Sequence, residues 1–129
     1  MILLDTHVLV WMVGEPARLS RTSRAAIRAA QEQGRVAVSA ITLWELTSLV
    51  ARGRIQAYGT VDASVRLLIE GVIIKPVTPE VAALAALFPD DFPKDPADCL
   101  IAATARVEGI GLVTRNEMLR RSSLLNTIW

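Results

Sequence analysis

The sequence predicts an α/β protein in which helices cover both faces of a mostly parallel central sheet. Short apolar runs that suit buried strands recur along the chain, and segments with helical spacing separate them. Gly, Pro, Ser or Asp stands at most junctions. Because strands that alternate with helices are joined by crossovers, the sheet is expected to be parallel. The 129 residues suit a single domain, residues 1–129, without internal repeats or linkers.

The first quarter of the chain predicts one strand and two helices. The aliphatic run Ile2–Leu4 is typical of a short buried strand. Apolar residues at helical spacing follow through 8–12, and the Gly-Glu-Pro sequence at 14–16 ends that helix. Residues 20–33 form a basic amphipathic pattern, which Gly34 closes as a C-cap.

The second quarter repeats the strand–helix order. Residues 35–38 predict the second strand. Either Ser39 or Thr42 caps the next helix, which extends to about Arg52 before a glycine. Residues 61–70 predict a further helix that also ends at a glycine.

The second half predicts three strands and three helices, again in alternation. A polar, proline-bearing loop over residues 88–93 precedes a helix that Asp95 caps and Gly109 ends, with Pro96 in the first turn. The predicted strands are 72–74, 111–114 and an edge strand at 127–129, and the other predicted helices begin at Pro79 and at Glu117.

Composition sets broad limits on function. The chain is 52% hydrophobic and 21% charged, which excludes a disordered protein. A single cysteine excludes an intrachain disulfide and favours a reducing, cytoplasmic setting. We expect neither a membrane span nor a signal peptide, because Asp5 interrupts the first apolar run and no basic leader precedes it.

Three acidic residues lie among apolar neighbours, where an unpaired charge is costly: Asp5, Glu45 and Asp98. A shared divalent cation would compensate them, since hard oxygen ligands suit Mg²⁺ or Mn²⁺. Without these acids, ten others remain against 14 Lys and Arg, so a mildly basic surface would surround an acidic pocket.

Each acid also has a local structural explanation. Asp5 can cap the helix that follows the first strand. Glu45 can close a capping box with Thr42. Asp98 can interact with its helix dipole, while Asp95, three residues earlier, shares its face. Position favours a functional Asp5, because ligands in open α/β sheets bind outside the carboxyl ends of the strands.

Grouped carboxylates of this kind indicate metal-assisted chemistry. They repel one another, and one or two divalent ions would relieve the repulsion, activate a water and stabilise charge on a phosphodiester. No nucleophile from the chain is then required. His7 is expected to pack or cap rather than act as a base, and Trp11 and Trp44 are expected to pack in the core.

Four sequence blocks, in order, resemble the PIN-domain family and, within it, the VapC-type toxins of toxin–antitoxin pairs. The similarity extends over essentially the whole chain and includes the Thr-Ile-Trp ending. The blocks are residues 4–11 (LDTHVLVW), 38–46 (VSAITLWEL) with 53–55 (GRI), 95–105 (DPADCLIAATA) and 112–117 (LVTRNE).

The resemblance implies a PIN-like three-layer α/β/α sandwich and a Mg²⁺- or Mn²⁺-dependent endoribonuclease. Asp5 and Asp98 would hold the principal ion, and Glu45 would bind it directly or through water. Thr6 and Thr114 would support the site, Thr114 matching the family's usual hydroxyl. The family's fourth acid commonly falls where Asn116 stands here.

Asn116 therefore departs from the pattern, and its carbonyl oxygen could still coordinate a metal or hold a water. Glu117 or Asp95 could compensate, although neither matches the family position. On residues alone, Asn116 is equally a favoured turn residue.

The resemblance also implies partners. The cognate antitoxin would cover the acidic crevice, and a homodimer is expected. The apolar residues Val81, Leu84 and Leu87 suit either the core or an interface. Phosphate contacts from RNA are assigned to Arg115, Arg52 and Arg54.

A different class of function is a catalytically silent PIN-like module that binds RNA or protein, suggested by Asn116. A phosphotransfer receiver and a haloacid-type phosphatase are disfavoured because the second early acid is missing. A dinucleotide fold is disfavoured because no glycine-rich turn follows the first strand.

Overall fold

The computed structural model describes all 129 residues and contains one five-stranded sheet between two layers of helices. The strands are β1 (Ile2–Leu4), β2 (Val36–Ser39), β3 (Ile73–Lys75), β4 (Gly111–Val113) and β5 (Thr127–Ile128). Their order is β3-β2-β1-β4-β5, and every neighbouring pair is parallel. The predicted α/β/α architecture is confirmed.

Seven α-helices and one short 3₁₀ helix connect and cover the strands. The α-helices are α1 (Thr6–Gly14), α2 (Arg21–Glu32), α3 (Ala40–Ala51), α4 (Val61–Leu68), α5 (Pro79–Ala86), α6 (Pro96–Glu108) and α7 (Glu117–Arg121). The 3₁₀ helix, Pro16–Arg18, was not predicted, and β3 begins one residue later than the sequence suggested. The longest helix, α6, has 13 residues, and none of the helices combines the length and the hydropathy of a membrane span.

Two hydrophobic cores lie on opposite faces of the sheet. Successive residues of a strand point to opposite faces, so Leu3 packs with Leu112 and α6 in one core, whereas Leu4 packs with Val113 and α1 in the other. Burial on both faces explains why the strands read as continuous apolar runs rather than as alternating ones.

The structure shows which apolar residues of α5 lie in the core and which remain exposed. Val81 is buried and packs in the protein interior, whereas Leu87 is 79% exposed. Leu87 is therefore available for contact with another molecule, and Val81 is not.

The prediction that Trp44 packs in the core is wrong, since its side chain is 66% exposed. The buried positions of α3 are Thr42, Leu46 and Val50, spaced by four residues along one face. Trp44 is two residues from the first two of these, about 200° around the helix. It therefore points away from the core.

Several helices begin at the carboxyl edge of the sheet, among them α1, α3, α6 and α7. Their N-cap side chains accept hydrogen bonds from backbone N–H groups of the first turn, and these caps are Asp5, Ser39, Asp95 and Asn116. The order in which strands are added to the sheet reverses between β1 and β4, because β2 and β3 lie on one side of β1 while β4 and β5 lie on the other. Open α/β sheets bind ligands at such a switch point.

Candidate functional site

A cavity of about 470 Å³ opens at the carboxyl ends of the strands, at this switch point. It carries a strong excess of negative charge, because one arginine, Arg115, accompanies five carboxylates. The acids come from separate parts of the chain and are Asp5, Glu45, Asp95, Asp98 and Glu117. The structure thus brings together all three acids singled out from the sequence.

Asp5 follows β1 directly, and both of its carboxylate oxygens are held. Oδ1 accepts from the backbone N–H of Thr6 at 2.8 Å, so Asp5 does cap α1. Oδ2 accepts from the hydroxyl of Thr114 at 2.7 Å. Thr114 is fully buried after β4, and its Oγ1 accepts from the backbone N–H of Asn116 at 3.0 Å. Asp5 therefore has a fixed orientation and links the carboxyl ends of the neighbouring strands β1 and β4.

Glu45 is positioned by a short chain of buried hydroxyl groups. Thr6 Oγ1 donates to Glu45 Oε1 at 2.5 Å, and Thr42 Oγ1 lies 3.0 Å from Thr6 Oγ1. Since Thr6 has a single hydroxyl proton, Thr42 is the donor to Thr6. The capping-box explanation of Glu45 is wrong, because Ser39 caps α3 and Thr42 lies inside that helix.

Burial and repulsion act on the acids of this cavity. Burial raises the pKa of Glu45, against the lowering effect of the Thr6 hydrogen bond. The pKa of Asp98 rises from 3.8 to about 7, first through burial and then through repulsion from Asp5, Asp95 and Glu45. The cluster is therefore electrostatically strained, as carboxylates that share a site must be.

Asp95 and Asp98 both line the cavity from the first turn of α6. Asp95 Oδ1 accepts from the backbone N–H of Ala97 at 2.8 Å and of Asp98 at 3.3 Å, so Asp95 is the predicted cap. The side chain of Asp98 makes no hydrogen bond within the chain and is half-buried. Asp98 is thus the carboxylate most in need of an outside partner.

Asn116 lines the cavity, but its carbonyl oxygen is already engaged. Oδ1 caps α7, accepting from the backbone N–H of Met118 at 3.0 Å and of Leu119 at 3.3 Å. The expectation that this oxygen coordinates a metal therefore does not fit the structure. The amide Nδ2, a donor, is the group that Asn116 can offer to the cavity. Glu117 beside it pairs with Arg121 at 3.4 Å.

Aromatic and basic side chains form one rim of the cavity. The guanidinium of Arg115 lies 5.9 Å from the ring centroid of Trp11, and that of Arg18 lies 5.0 Å from it. His7 is exposed, with its ring 6.1 Å from that of Trp11, so it does not pack in the interior. Trp11 also contacts Trp129 edge-on, which holds the indole in place.

Arg52 and Arg54, the other predicted phosphate contacts, lie outside the acidic cavity. They line an adjoining groove of about 240 Å³ on the far side of Glu45, together with Trp44. Of the three arginines assigned to RNA, only Arg115 reaches the cavity itself.

The donor chemistry of the cavity fits a hard divalent cation. Carboxylate oxygens are the ligands that Mg²⁺ and Mn²⁺ favour, and a cation would relieve the repulsion that raises the pKa of Asp98. No three acidic, histidine or cysteine side chains converge closely enough to form a complete cage. Mg²⁺ commonly binds one or two carboxylates and keeps several waters, so a full cage is not required.

Comparison with known proteins identifies the family of the chain. A family model described as the PIN domain matches residues 2–123. The chain belongs to the PIN-domain family. Ribonuclease VapC22 of Mycobacterium tuberculosis (strain ATCC 25618 / H37Rv) is 43% identical over 130 residues, which cover 99% of this chain and 98% of that protein. The resemblance to VapC-type members is thereby confirmed.

Solved structures share the PIN-domain fold. VapBC2 from Rickettsia felis, bound to a DNA fragment from its promoter, matches with a TM-score of 0.74 and 20% identity, covering 98% of this chain and 97% of that chain. A toxin–antitoxin complex from Klebsiella pneumoniae matches with a TM-score of 0.67 and 20% identity, covering 95% and 92%.

Three residues near the site escaped sequence reasoning. Thr42 was considered only as a cap, whereas it is a buried link to Thr6 and Glu45. His7 was assigned to packing or capping, although it is exposed at the cavity. Trp11 does pack against the core, as predicted, but it also lines the cavity, which the sequence reasoning missed. Their positions two and six residues after Asp5, on the helix that Asp5 caps, were the available signal.

Proposed function

We propose that this PIN-domain protein is a divalent-metal-dependent endoribonuclease that acts as the toxin of a type II toxin–antitoxin pair. The observation that carries the proposal is the five-carboxylate cavity at the switch point of the sheet. The family match and the identity to a protein named as a ribonuclease support it. The reaction would be hydrolysis of an RNA phosphodiester that leaves a 3′-hydroxyl and a 5′-phosphate.

Asp5 and Asp98 would hold Mg²⁺ or Mn²⁺, and Glu45 would bind the ion directly or through a water. When bound, a divalent cation in such a site would lower the pKa of a coordinated water and neutralise negative charge on the phosphodiester. Thr114 fixes Asp5, and the Thr42–Thr6 pair fixes Glu45, through the hydrogen bonds described above.

The remaining groups at the cavity would act on the RNA. Arg115 at the rim carries a positive charge toward the phosphate, and its place over Trp11 limits its motion. The Nδ2 group of Asn116 would donate a hydrogen bond to a phosphate oxygen, a role that needs no charge on this side chain.

The antitoxin and the homodimer belong to the same proposal. Structural neighbours include toxin–antitoxin complexes, which supports a protein partner for this chain. A strongly acidic cavity suits a basic side chain from such a partner. The exposed Leu87 on α5 is available to a second copy of the chain. A cytoplasmic location is part of the same proposal, because a chain with a single cysteine suits a reducing compartment.

RNA cleavage by the purified protein tests the catalytic part. We expect cleavage with Mg²⁺ or Mn²⁺, none with EDTA, and loss in Asp98→Asn. Asp62→Asn is the matched control, because Asp62 is also an acid in the first turn of a helix but lies outside the cavity. Metal-independent cleavage, or equal loss in both variants, contradicts the proposal.

The catalytically silent binding module remains the second candidate, and Asn116 is the observation that favours it. If the folded parent binds RNA but cleaves none at any metal concentration, the silent module is the better description. Asn116→Asp then separates the causes, since recovery of cleavage would show that the missing acid silences the parent.

A further inference from the structure

A groove beside the acidic cavity has the features of a binding site for an unstacked nucleobase. This Trp44 groove, of about 240 Å³, lies between α3, the loop that follows it and the first turn of α1. Its own lining includes Trp44, Arg52 and Arg54, and it shares His7 and Glu45 with the acidic cavity. The two depressions are therefore continuous across Glu45.

The exposure of Trp44 is the first argument. Indole is among the largest apolar side chains, and a tryptophan is usually well buried. Here Trp44 is 66% exposed on a rigid helix, while the buried face of α3 is complete without it. The ring thus presents a fixed aromatic surface to a partner without contributing to the core.

The charge of the groove is the second argument. Arg52 and Arg54 are exposed and form no ion pair, since the salt bridges of the structure involve other basic residues. Glu45, at the shared border, is the only acid in the groove. An aromatic platform beside unpaired arginines is the combination that single-stranded nucleic acids bind.

We propose that the Trp44 groove binds one base of single-stranded RNA next to the phosphate held in the acidic cavity, with the base stacked on Trp44 and its backbone contacted by Arg52 and Arg54. This rests on the proposed ribonuclease function, because it concerns the same bound strand. The requirement for an unstacked base would make duplex RNA a poor ligand.

The test measures binding without cleavage. Every protein in the assay carries Asp98→Asn to prevent cleavage, and excess Mn²⁺ keeps the acidic cavity loaded. A fluorescein-labelled, mixed-sequence single-stranded RNA oligonucleotide is titrated with these proteins, and anisotropy gives Kd for the otherwise unchanged parent, Trp44→Ala and Trp44→Phe. Loss of stacking is expected to raise Kd about 5- to 150-fold in Trp44→Ala, with most of the affinity retained in Trp44→Phe. Leu67→Ala removes an exposed apolar side chain from another helix, α4, and is expected to bind like the parent.

The arginines give an independent readout. In Arg52→Gln and Arg54→Gln, the slope of log Kd against log salt should fall in magnitude by about 0.7 for each phosphate of the single strand that the variant no longer neutralises. A structural role for these exposed residues would leave that slope unchanged.

The possible results distinguish failure of the proposed base-binding site from failure of the proposed nuclease activity. If Trp44→Ala binds RNA as tightly as the parent, or if Trp44→Phe is as weak as Trp44→Ala, the base site is refuted even where the parent cleaves RNA. If Trp44-dependent binding is found but the parent never cleaves, the base site stands and only the nuclease function fails.

Discussion

Replacing Asp98 by Asn is expected to stabilise the metal-free protein at pH 8. Asp98 has a pKa near 7 in the folded chain instead of 3.8. The folded state therefore binds its proton more tightly than the unfolded state, and the free energy of unfolding falls as pH rises from about 4 through 7. At pH 8 the charged carboxyl destabilises the fold, and Asn removes that charge.

The magnitude follows from the pKa difference. At 1.36 kcal/mol for each pH unit, 3.8 against about 7 gives roughly 4 kcal/mol as an upper bound. Asp98 is only half-buried, so solvent screening reduces this to about 1–2 kcal/mol. Asn also loses a favourable interaction with the dipole of α6, worth about 0.5 kcal/mol. The net gain corresponds to a rise in Tm of about 2–6 °C for a domain of this size.

The assay is thermal unfolding by differential scanning calorimetry in EDTA, at pH 8 and at pH 5. At pH 5 Asp98 is protonated in the folded state but still ionised in the unfolded state, so part of the free-energy difference persists. The charge-related gain from Asp98→Asn should therefore fall to roughly 40% of its value at pH 8. Asp62→Asn, which loses a helix-dipole interaction outside the cavity, should lower Tm slightly at both pH values. A Tm for Asp98→Asn that lies below the parent at pH 8, or that shifts equally at both pH values, would refute the reasoning.

Three further predictions concern neighbouring groups. Asn116→Asp keeps a capping side chain on α7 but adds a sixth carboxylate to the cavity. The Tm of the metal-free variant at pH 8 should therefore fall, whereas that of Asp98→Asn should rise, and the same calorimetric scan checks both. Thr42→Val leaves Thr6 Oγ1 without its buried donor and should cost about 1–3 kcal/mol in urea unfolding, with slower RNA cleavage. Leu112→Ala in the core should cost about 2–5 kcal/mol, whereas Leu87→Ala should change stability by less than about 0.5 kcal/mol.

The order of strands and helices could be predicted from the sequence because the capping residues and the apolar patterns indicate the same elements that the structure buries. The run Ile2–Leu4 is apolar throughout because Leu3 and Leu4 belong to different cores. The caps Asp5 and Asp95 marked helix starts that the structure retains. The 3₁₀ helix at Pro16–Arg18 was missed because three residues carry no periodicity.

The acids of the site could be selected from sequence, but their surroundings could not. Local burial patterns do not reveal contacts between residues 36 or 109 positions apart, such as Thr6 with Thr42 and Thr114 with Asp5. Trp44 was misplaced because an apolar segment does not by itself show which side of a helix meets the core. Asn116 offers its amide Nδ2 to the cavity because its Oδ1 caps α7, and the sequence does not show which of the two atoms forms the cap.

Direct titration of Mn²⁺ tests the central claim, because cation binding by these acids underlies both the proposed reaction and the pH behaviour. Isothermal titration calorimetry would compare the parent, Asp98→Asn and Asp62→Asn at pH 8. We expect the parent to bind Mn²⁺, Asp62→Asn to bind equally, and Asp98→Asn to bind at least about tenfold more weakly, since even indirect metal-site contacts cost that much. Equal binding by all three proteins, or no binding by the folded parent, would contradict the account.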